Sequence, residues 1–190
     1  MKKVMVLLVG IFIYGAALTQ SETLFSNNPI SGFGGPIFSV STLNDEVVYF
    51  GGGGGGLIIG DFFIGGFGEG GTISNTFVQD DVYDIELGYG GLWMGYSIAN
   101  RKAIHPFIGL KWAGGESTVT PVSDNRALQS DKIQVLQPEL GLEFNFTLWM
   151  RLVAHVGYRN VIGVDSRHLV TNEELSGISG GITLRFGFFR

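Results

Sequence analysis

The 190-residue sequence contains no cysteine, and only 15% of its residues are charged. Without cysteine, neither disulfides nor thiolate metal sites can contribute to the fold, and the lipid anchor of a lipoprotein is excluded. Long apolar runs are also missing after the first twenty residues. Because a membrane-spanning helix needs roughly 20 apolar residues, any insertion of this chain into a bilayer must use strands.

Basic residues are scarce as well. The chain has 12 Lys and Arg against 17 Asp and Glu, and its first residues contribute Lys2 and Lys3. Without those two lysines, 10 basic residues remain and the net charge is −7. An acidic chain has no basic footprint to neutralise phosphates, so we exclude nucleic acid as a partner.

Residues 1–19 have the layout of a secretory signal peptide. A positive start at Lys2 and Lys3 precedes an uncharged apolar run from Val4 to Leu18, and small residues follow before the chain turns polar. The run is too short for a spanning helix and is typical of a cleaved export signal. We expect a signal peptide over 1–19, a short segment over 20–29 and one folded domain over 30–190.

Glycine (31 residues) and aromatic residues (13%) are abundant, and the clearest pattern lies in the final segment, 177–190. One face carries Ile178, Gly180, Ile182, Leu184, Phe186 and Phe188, and the other carries Gly177, Ser179, Gly181, Thr183, Arg185 and Gly187. A period of two is the geometry of a β-strand. One apolar face and one polar face are typical of a strand between lipid and a wet lumen.

Eight segments show such alternation. They are Ile30–Ser41, Glu46–Ile58, Asp61–Gly71, Asp81–Ile98, Ala103–Val119, Lys132–Phe146, Leu148–Val161 and Leu175–Arg190. Short connections mostly alternate with longer ones, as in outer-membrane barrels. The prediction is an all-β fold, an eight-stranded antiparallel up-and-down transmembrane barrel. A soluble barrel has the same strand number, but its apolar face would point inward.

The face opposite the apolar one collects ionisable side chains that we expect inside the barrel. This predicted lumen network comprises Asp84, Glu86, Lys111, Glu139, Glu143, Arg151, His155, Arg159 and Arg185. Eight strands leave an interior only just wide enough for side chains, so the charges predict ion pairs that plug the lumen. A gated conduit in which the pairs exchange partners is the alternative.

Aromatic residues lie near strand ends or along the apolar faces. Those predicted to face lipid are Tyr83, Tyr89, Trp93, Trp112, Phe144, Tyr158, Phe186 and Phe188, in a girdle at the headgroup boundary. The glycine run 51–56 lacks the Lys-Ser or Lys-Thr of a phosphate loop. We interpret it as a low-bulk wall segment that leaves space for bulky neighbours, with arginines from across the lumen as candidates.

The signal-peptide pattern, the alternating strands and the closing GITLRFGFFR resemble small Gram-negative outer-membrane barrels, such as the OmpA transmembrane domain and OmpX-like proteins. GFGGPIFSVS and YFGGGGGGLIIGDFFIGGFG are similar to the glycine-rich opening of uncharacterised Bacteroidota barrels. The resemblance implies the outer membrane as location, with membrane lipid and lipopolysaccharide as surroundings. It also implies periplasmic chaperones and the barrel-assembly machinery as partners during biogenesis. The family's usual terminal aromatic is replaced by Arg190.

No residue is assigned a catalytic, cofactor-binding or metal-binding role. Asp165, Ser166 and His168 have the residue types of a hydrolytic triad, but they are too close in sequence for a proton relay. Polar connections over 72–80, 119–131 and 162–174 offer surfaces for recognition by an unknown external ligand. We therefore expect a structural or surface-interaction scaffold that is not an enzyme. A narrow pore or small-solute transporter is the alternative, and a lipid-modifying enzyme comes third.

Overall fold

A computed structural model describes residues 30–43, 46–78, 81–123, 127–164 and 170–189. They form a closed barrel in which each strand pairs antiparallel with the next and β8 returns to pair with β1. The strands are β1 (Ile30–Leu43), β2 (Glu46–Ile59), β3 (Phe62–Val78), β4 (Asp81–Ser97), β5 (Ile104–Pro121), β6 (Gln129–Asn145), β7 (Met150–Ile162) and β8 (Gly177–Gly187). The predicted fold class is confirmed. The segments predicted over 1–19 and 20–29 lie outside the described residues.

The two ends of the barrel differ in their connections. We call the end with the β2–β3, β4–β5 and β6–β7 links the turn end, and the opposite end the loop end. At the turn end, Gly60 joins β2 to β3 with a φ of 64°, a conformation that glycine adopts without steric cost. At the loop end, β3 continues to Val78 past a register shift between Ile73 and Thr76. The prediction of a loop that begins at Thr72 was therefore wrong for residues 72–78, because the bulge lets this polar segment keep pairing with β4, while residues 79–80 lie outside the described ones.

A short segment of the β7–β8 connection closes the loop end. It contains helix α1 (Asn172–Leu175), which begins with a capping box between Thr171 and Glu174. Leu175 and Val170 are almost fully buried inside the barrel. Among the described residues, no helix has the length and apolar character needed to cross a membrane.

The outward face of the barrel is divided into two zones. Its wide apolar band, here the belt zone, includes the exposed residues Ile64, Leu92, Trp112, Leu140, Val156, Ile182 and Phe186. Outward charges on the described strands are confined to the loop-end zone, where Asp84, Glu86, Glu116 and Lys132 lie. The barrel therefore carries a charge-free waist and a polar rim.

The interior changes character between the same two zones. In the loop-end zone most buried residues are apolar, among them Tyr83, Ile85, Leu87, Val119, Ile133, Val135, Val161, Val164, Val170 and Leu175, and the polar Ser117, Gln129 and Asp131 are buried beside them. In the belt zone the buried residues include nearly all the interior charges. The barrel is thus apolar inside and polar outside near its loop end, and the reverse around its waist.

The glycine run lies in β2, where the wall approaches its neighbours closely. A Cβ at Gly52 would collide with the backbone carbonyl of Gly68 in β3. At Gly54, a Cβ would lie 3.2 Å from Cε3 of Trp93, across the β3 strand. The run is a low-bulk wall segment, as interpreted from the sequence, but the bulky neighbour beside it is Trp93 and not an arginine.

Candidate functional site in the lumen

Seven of the residues predicted for the lumen network point into the barrel and are buried. They are Lys111, Glu139, Glu143, Arg151, His155, Arg159 and Arg185. The other two, Asp84 and Glu86, lie on the outward face of β4, so their predicted placement was wrong. The period of two in β4 is correct. The two faces are the reverse of the prediction, because the apolar residues in the first half of β4, Ile85 and Leu87 among them, pack inside the barrel in the loop-end zone.

Lys111 is the centre of the first ion-pair cluster. Its Nζ lies 2.9 Å from Oε1 of Glu139 and donates a hydrogen bond to Glu69. The second oxygen of Glu69 accepts a hydrogen bond from the hydroxyl of Tyr89 at 3.2 Å. Gln137 donates to Glu139 at 3.0 Å. One lysine on β5 thus holds two buried carboxylates, one from the adjacent strand β6 and one from β3 on the other side of β4, which ties these strands together.

Glu143 is the centre of the second cluster, nearer the turn end. Its Oε1 accepts a hydrogen bond from Nη1 of Arg185 at 2.8 Å. Its Oε2 accepts from the hydroxyl of Ser97 at 2.7 Å and lies 2.8 Å from Nε2 of His105. Nη1 of Arg151 lies 3.5 Å from the same oxygen. The fully buried carboxylate is therefore satisfied on both oxygens, whereas Nε and Nη2 of Arg185 and Nε of Arg151 have no hydrogen-bond partner among the described residues.

Arg185 is surrounded by aromatic rings as well as by Glu143. Its guanidinium carbon lies 4.4 to 5.0 Å from four ring centroids, those of Phe33, Phe63, Trp93 and Phe107. Aromatic faces attract cations, and the attraction strengthens when water is excluded. This cage places four aromatic rings around one guanidinium inside the barrel.

Arg159 lies closer to the loop end than either cluster and contacts the Lys111 cluster through a side-chain hydrogen bond with Tyr89. Its Nε donates a hydrogen bond to the backbone carbonyl of Leu175 at 3.1 Å, and its guanidinium lies over the ring of Phe50 at 4.6 Å. No ion pair of Arg159 occurs within the described part of the chain. Its charge is used to hold the segment that contains α1 against the barrel interior.

The predicted lipid-facing aromatics separate into two groups. Trp112, Phe144, Tyr158, Phe186 and Phe188 lie on the outward face or at its turn-end rim. Tyr83, Tyr89 and Trp93 are buried inside the barrel, and their predicted placement was wrong. All three belong to the inverted face of β4, and Trp93 contributes to the cage around Arg185.

Several interior residues were missed by the sequence interpretation. Ser97 and the ring-bearing residues Phe33, Phe63, Phe67 and Phe107 are all buried in the lumen. Gln137 and Glu69 are buried there too, but they were not missed: Gln137 shares the polar face of β6 with Glu139, and Glu69 is expected in the network although its face in β3 stays open. The parity of β3 was ambiguous because glycines occupy both of its faces around Glu69. Pairing with β4 resolves it, since the partner of Glu69 is the buried Tyr89.

The described lumen residues give little support for a metal-binding or catalytic centre. Within the described residues, no group of three or more His, Cys, Asp and Glu side chains could hold a metal ion. Asp165, Ser166 and His168, the residues with triad chemistry, lie outside the described residues. What the described lumen residues form is a network of ion pairs, hydrogen bonds and ring contacts.

No protein-family model matches this sequence, and no curated protein matches it either. Solved structures do resemble its fold. Neisserial surface protein A (NspA) superposes with a TM-score of 0.56 at 12% identity, over 85% of this chain and 97% of its own. Ail, the attachment invasion locus protein of Yersinia pestis, solved with the heparin analogue sucrose octasulfate, gives 0.51 at 12% identity, over 85% and 99%. The chain therefore has the fold of the small Gram-negative outer-membrane β-barrels.

Proposed function

We propose that this protein is an outer-membrane barrel with a sealed lumen, which acts as a structural or surface-interaction scaffold. The observation that carries the proposal is the filled interior. Ion pairs and the aromatic cage occupy the belt zone, and an apolar core closed by Leu175 occupies the loop-end zone. A barrel packed in this way gives its loop end a rigid base, which suits recognition better than transport.

The outward face supports a membrane location. Its belt zone is apolar and free of charge, and Trp112 and Tyr158 are exposed on it. A lipid-exposed band about 25 Å tall with aromatic residues at its borders is the pattern of outer-membrane barrels. We propose membrane lipid and lipopolysaccharide as its surroundings, with periplasmic chaperones and the barrel-assembly machinery acting during biogenesis.

The loop end would be the face for an external partner. NspA is described as a surface protein and Ail as an attachment protein, so fold-level analogy favours surface interaction. The Ail structure contains a polysulfated ligand. Among the outward-facing residues of the described strands, the loop end carries three carboxylates against the single lysine Lys132, so a polyanion is a poor match for this part of the rim. We propose no enzymatic activity.

Single-channel conductance in a planar bilayer tests the sealed lumen. The refolded protein should show the heat-dependent gel shift of folded barrels and no conductance steps. A folded protein that gives discrete, salt-dependent steps would contradict the proposal and favour the narrow pore or small-solute transporter. In that case the Lys111 and Glu143 clusters would be the groups that must separate.

A further inference from the structure

An open groove crosses the outward wall of the barrel where the belt zone meets the loop-end zone. Its volume is about 800 Å³, within the range of about 300 to 1,000 Å³ that small-molecule pockets have. The outward-facing residues that line it come from four neighbouring strands, β4 to β7. They are Gly88, Gly90, Gly114, Glu116, Lys132, Gln134 and Ile162. The groove is therefore separate from the lumen, on the side of the wall that faces the surroundings.

Glycine creates the groove by leaving outward positions without side chains. A Cβ at Gly88 of β4 or at Gly114 of β5 would meet no atom within 4 Å beyond its chain neighbours. Gly114 is opposite Gly90, so bare backbone continues across both strands. The exposed side chains of Trp112 and Glu116 border this floor on β5. A ligand from the surroundings can therefore lie directly against the backbone of the wall.

Two opposite charges lie at the loop-end side of the groove. Glu116 and Lys132 are directly opposite each other in β5 and β6, and both are exposed. Opposite charges in such cross-strand positions attract each other, yet no ion pair joins these two within the described part of the chain. Ser130 donates a hydrogen bond to Glu116, and Lys132 has no partner among the described residues. The groove thus offers an unpaired ammonium beside a carboxylate that can accept further hydrogen bonds.

Three successive outward pairs of β5 and β6 change from charged to apolar along the groove. From the loop end toward the belt zone, the pairs are Glu116 with Lys132, Gly114 with Gln134, and Trp112 with Leu136. A ligand that matches this order has a charged end and an apolar end, which is the structure of a membrane lipid. A purely anionic head group would place like charge against Glu116, which is unfavourable. A head group with one phosphate and one ammonium matches both charges.

We propose that this groove binds one membrane lipid that has a phosphoethanolamine head group. The phosphate accepts a hydrogen bond from Nζ of Lys132, and the ammonium donates to the carboxylate of Glu116. The apolar part of the lipid runs past Gly114 toward Trp112 and the belt zone. This inference rests on the membrane location given under the proposed function.

Native mass spectrometry tests the site with the refolded wild-type protein. The protein is released from detergent micelles doped with equal amounts of phosphatidylethanolamine and phosphatidylglycerol, which lacks the ammonium. One retained phosphatidylethanolamine is expected, at about tenfold higher occupancy than phosphatidylglycerol, because charged hydrogen bonds to Glu116 are lost with the second lipid. Equal retention of the two lipids would overturn the proposal.

Matched variants locate the bound lipid. Lys132→Gln and Glu116→Gln should each reduce retention about tenfold, and Gly114→Leu, which fills the groove, should have a similar effect. Gly51→Leu is the control for the added side chain, since Gly51 of β2 also faces outward into open space but does not line the groove. Glu86→Gln is the control for the lost carboxylate, since Glu86 is exposed on β4 outside the groove. Both controls should retain the lipid as the wild type does.

All five variants should keep the heat-dependent gel shift, because the substituted positions are exposed. If Gly114→Leu fails to fold, the exposed Lys132→Gln still decides the result. A dimer of the wild type that Gly114→Leu abolishes would overturn the proposal and assign the groove to a second copy of the chain. Insertion of the wild type into vesicles without a retained lipid would contradict only this site. Failure of the wild type to insert would contradict the proposed membrane location as well.

Discussion

The loop-end zone and the belt zone are built from the same eight strands with opposite polarity. Around the waist, Leu140 and Ile182 face outward and Glu139 and Arg185 face inward. Near the loop end, Ile133 and Val135 face inward and Lys132 faces outward. The alternation never breaks along β6, so the exchange of polarity does not require a change of register.

The comparison shows that the period of two reports strand geometry, while the surroundings decide which face is apolar. A strand in a bilayer exposes its apolar face to lipid, whereas a strand in water buries it. In β4 the outward face changes from polar to apolar around Gly90 and Gly91. Leu87, before this point, is buried inside the barrel, and Leu92, after it, is exposed outside. The height of this exchange marks where we expect the bilayer to end.

The largest effect should come from the polar interior of the belt zone. Glu143→Ala should reduce the free energy of unfolding by about 3 to 5 kcal/mol, because Arg185 and Arg151 would stay buried without their carboxylate. Urea unfolding of the protein in lipid vesicles measures the change. Glu116→Ala removes an exposed outward carboxylate at the loop end and should change stability by less than about 0.5 kcal/mol. Similar losses for both would remove the distinction between the zones.

A charge on the outward face tests the boundary itself. Leu140→Arg, in the middle of the apolar stretch of β6, should cost about 2 to 4 kcal/mol and reduce insertion into vesicles. Gln134→Arg introduces the same arginine on the same face of the same strand, three outward positions closer to the loop end. It should insert normally, as shown by the heat-dependent gel shift. Equal insertion of the two variants would mean that the belt zone does not lie in lipid.

A hydroxyl group added to the apolar interior of the loop-end zone should destabilise the protein. Val135→Thr keeps the volume of a fully buried side chain but adds a polar atom, which should cost about 1 to 3 kcal/mol. Val122→Thr, at a half-exposed position directly after β5, should leave the free energy of unfolding nearly unchanged. Urea titration compares them. No loss in Val135→Thr would indicate that water reaches this core.

The smallest effect should be local to the closing segment. Thr171→Ala removes both hydrogen bonds of the Thr171 side chain from the capping box of α1, and caps contribute about 1 kcal/mol. Amides of Leu175 and Ser176 should exchange with solvent roughly fivefold faster, while amides in β6 keep their rate. Faster exchange throughout the barrel would show that the segment is part of the global folding unit.

Much of the fold was predictable because alternation and connection order are local properties of the sequence. The barrel, its eight strands and the placement of Arg151, Arg159 and Arg185 on inward faces follow from period and parity. The face of β4 was assigned wrongly because its two halves lie in different zones, and an average over the strand hides the exchange. Only pairing with β3 and β5 shows that Tyr89 and Trp93 point inward.

Other features depend on contacts that no local pattern encodes. The cage around Arg185 joins rings from β1, β3, β4 and β5, four segments that are far apart in sequence. Helix α1 is only four residues long, and it is held by the barrel interior through Leu175 and Arg159. Such short helices are unstable by themselves, so the sequence carries only the capping box as a signal.

The pairing of β8 with β1 has a consequence for the order of events during synthesis. Residues Ser179 to Gly187 complete the ladder with Ser41 to Phe33, so the strand made first must wait for the strand made last. Until then the chain has two open edges whose backbone groups cannot enter hydrocarbon unpaired. Strand β8 must therefore be synthesised before the barrel can close, and a chain cut off before β8 would keep both edges open.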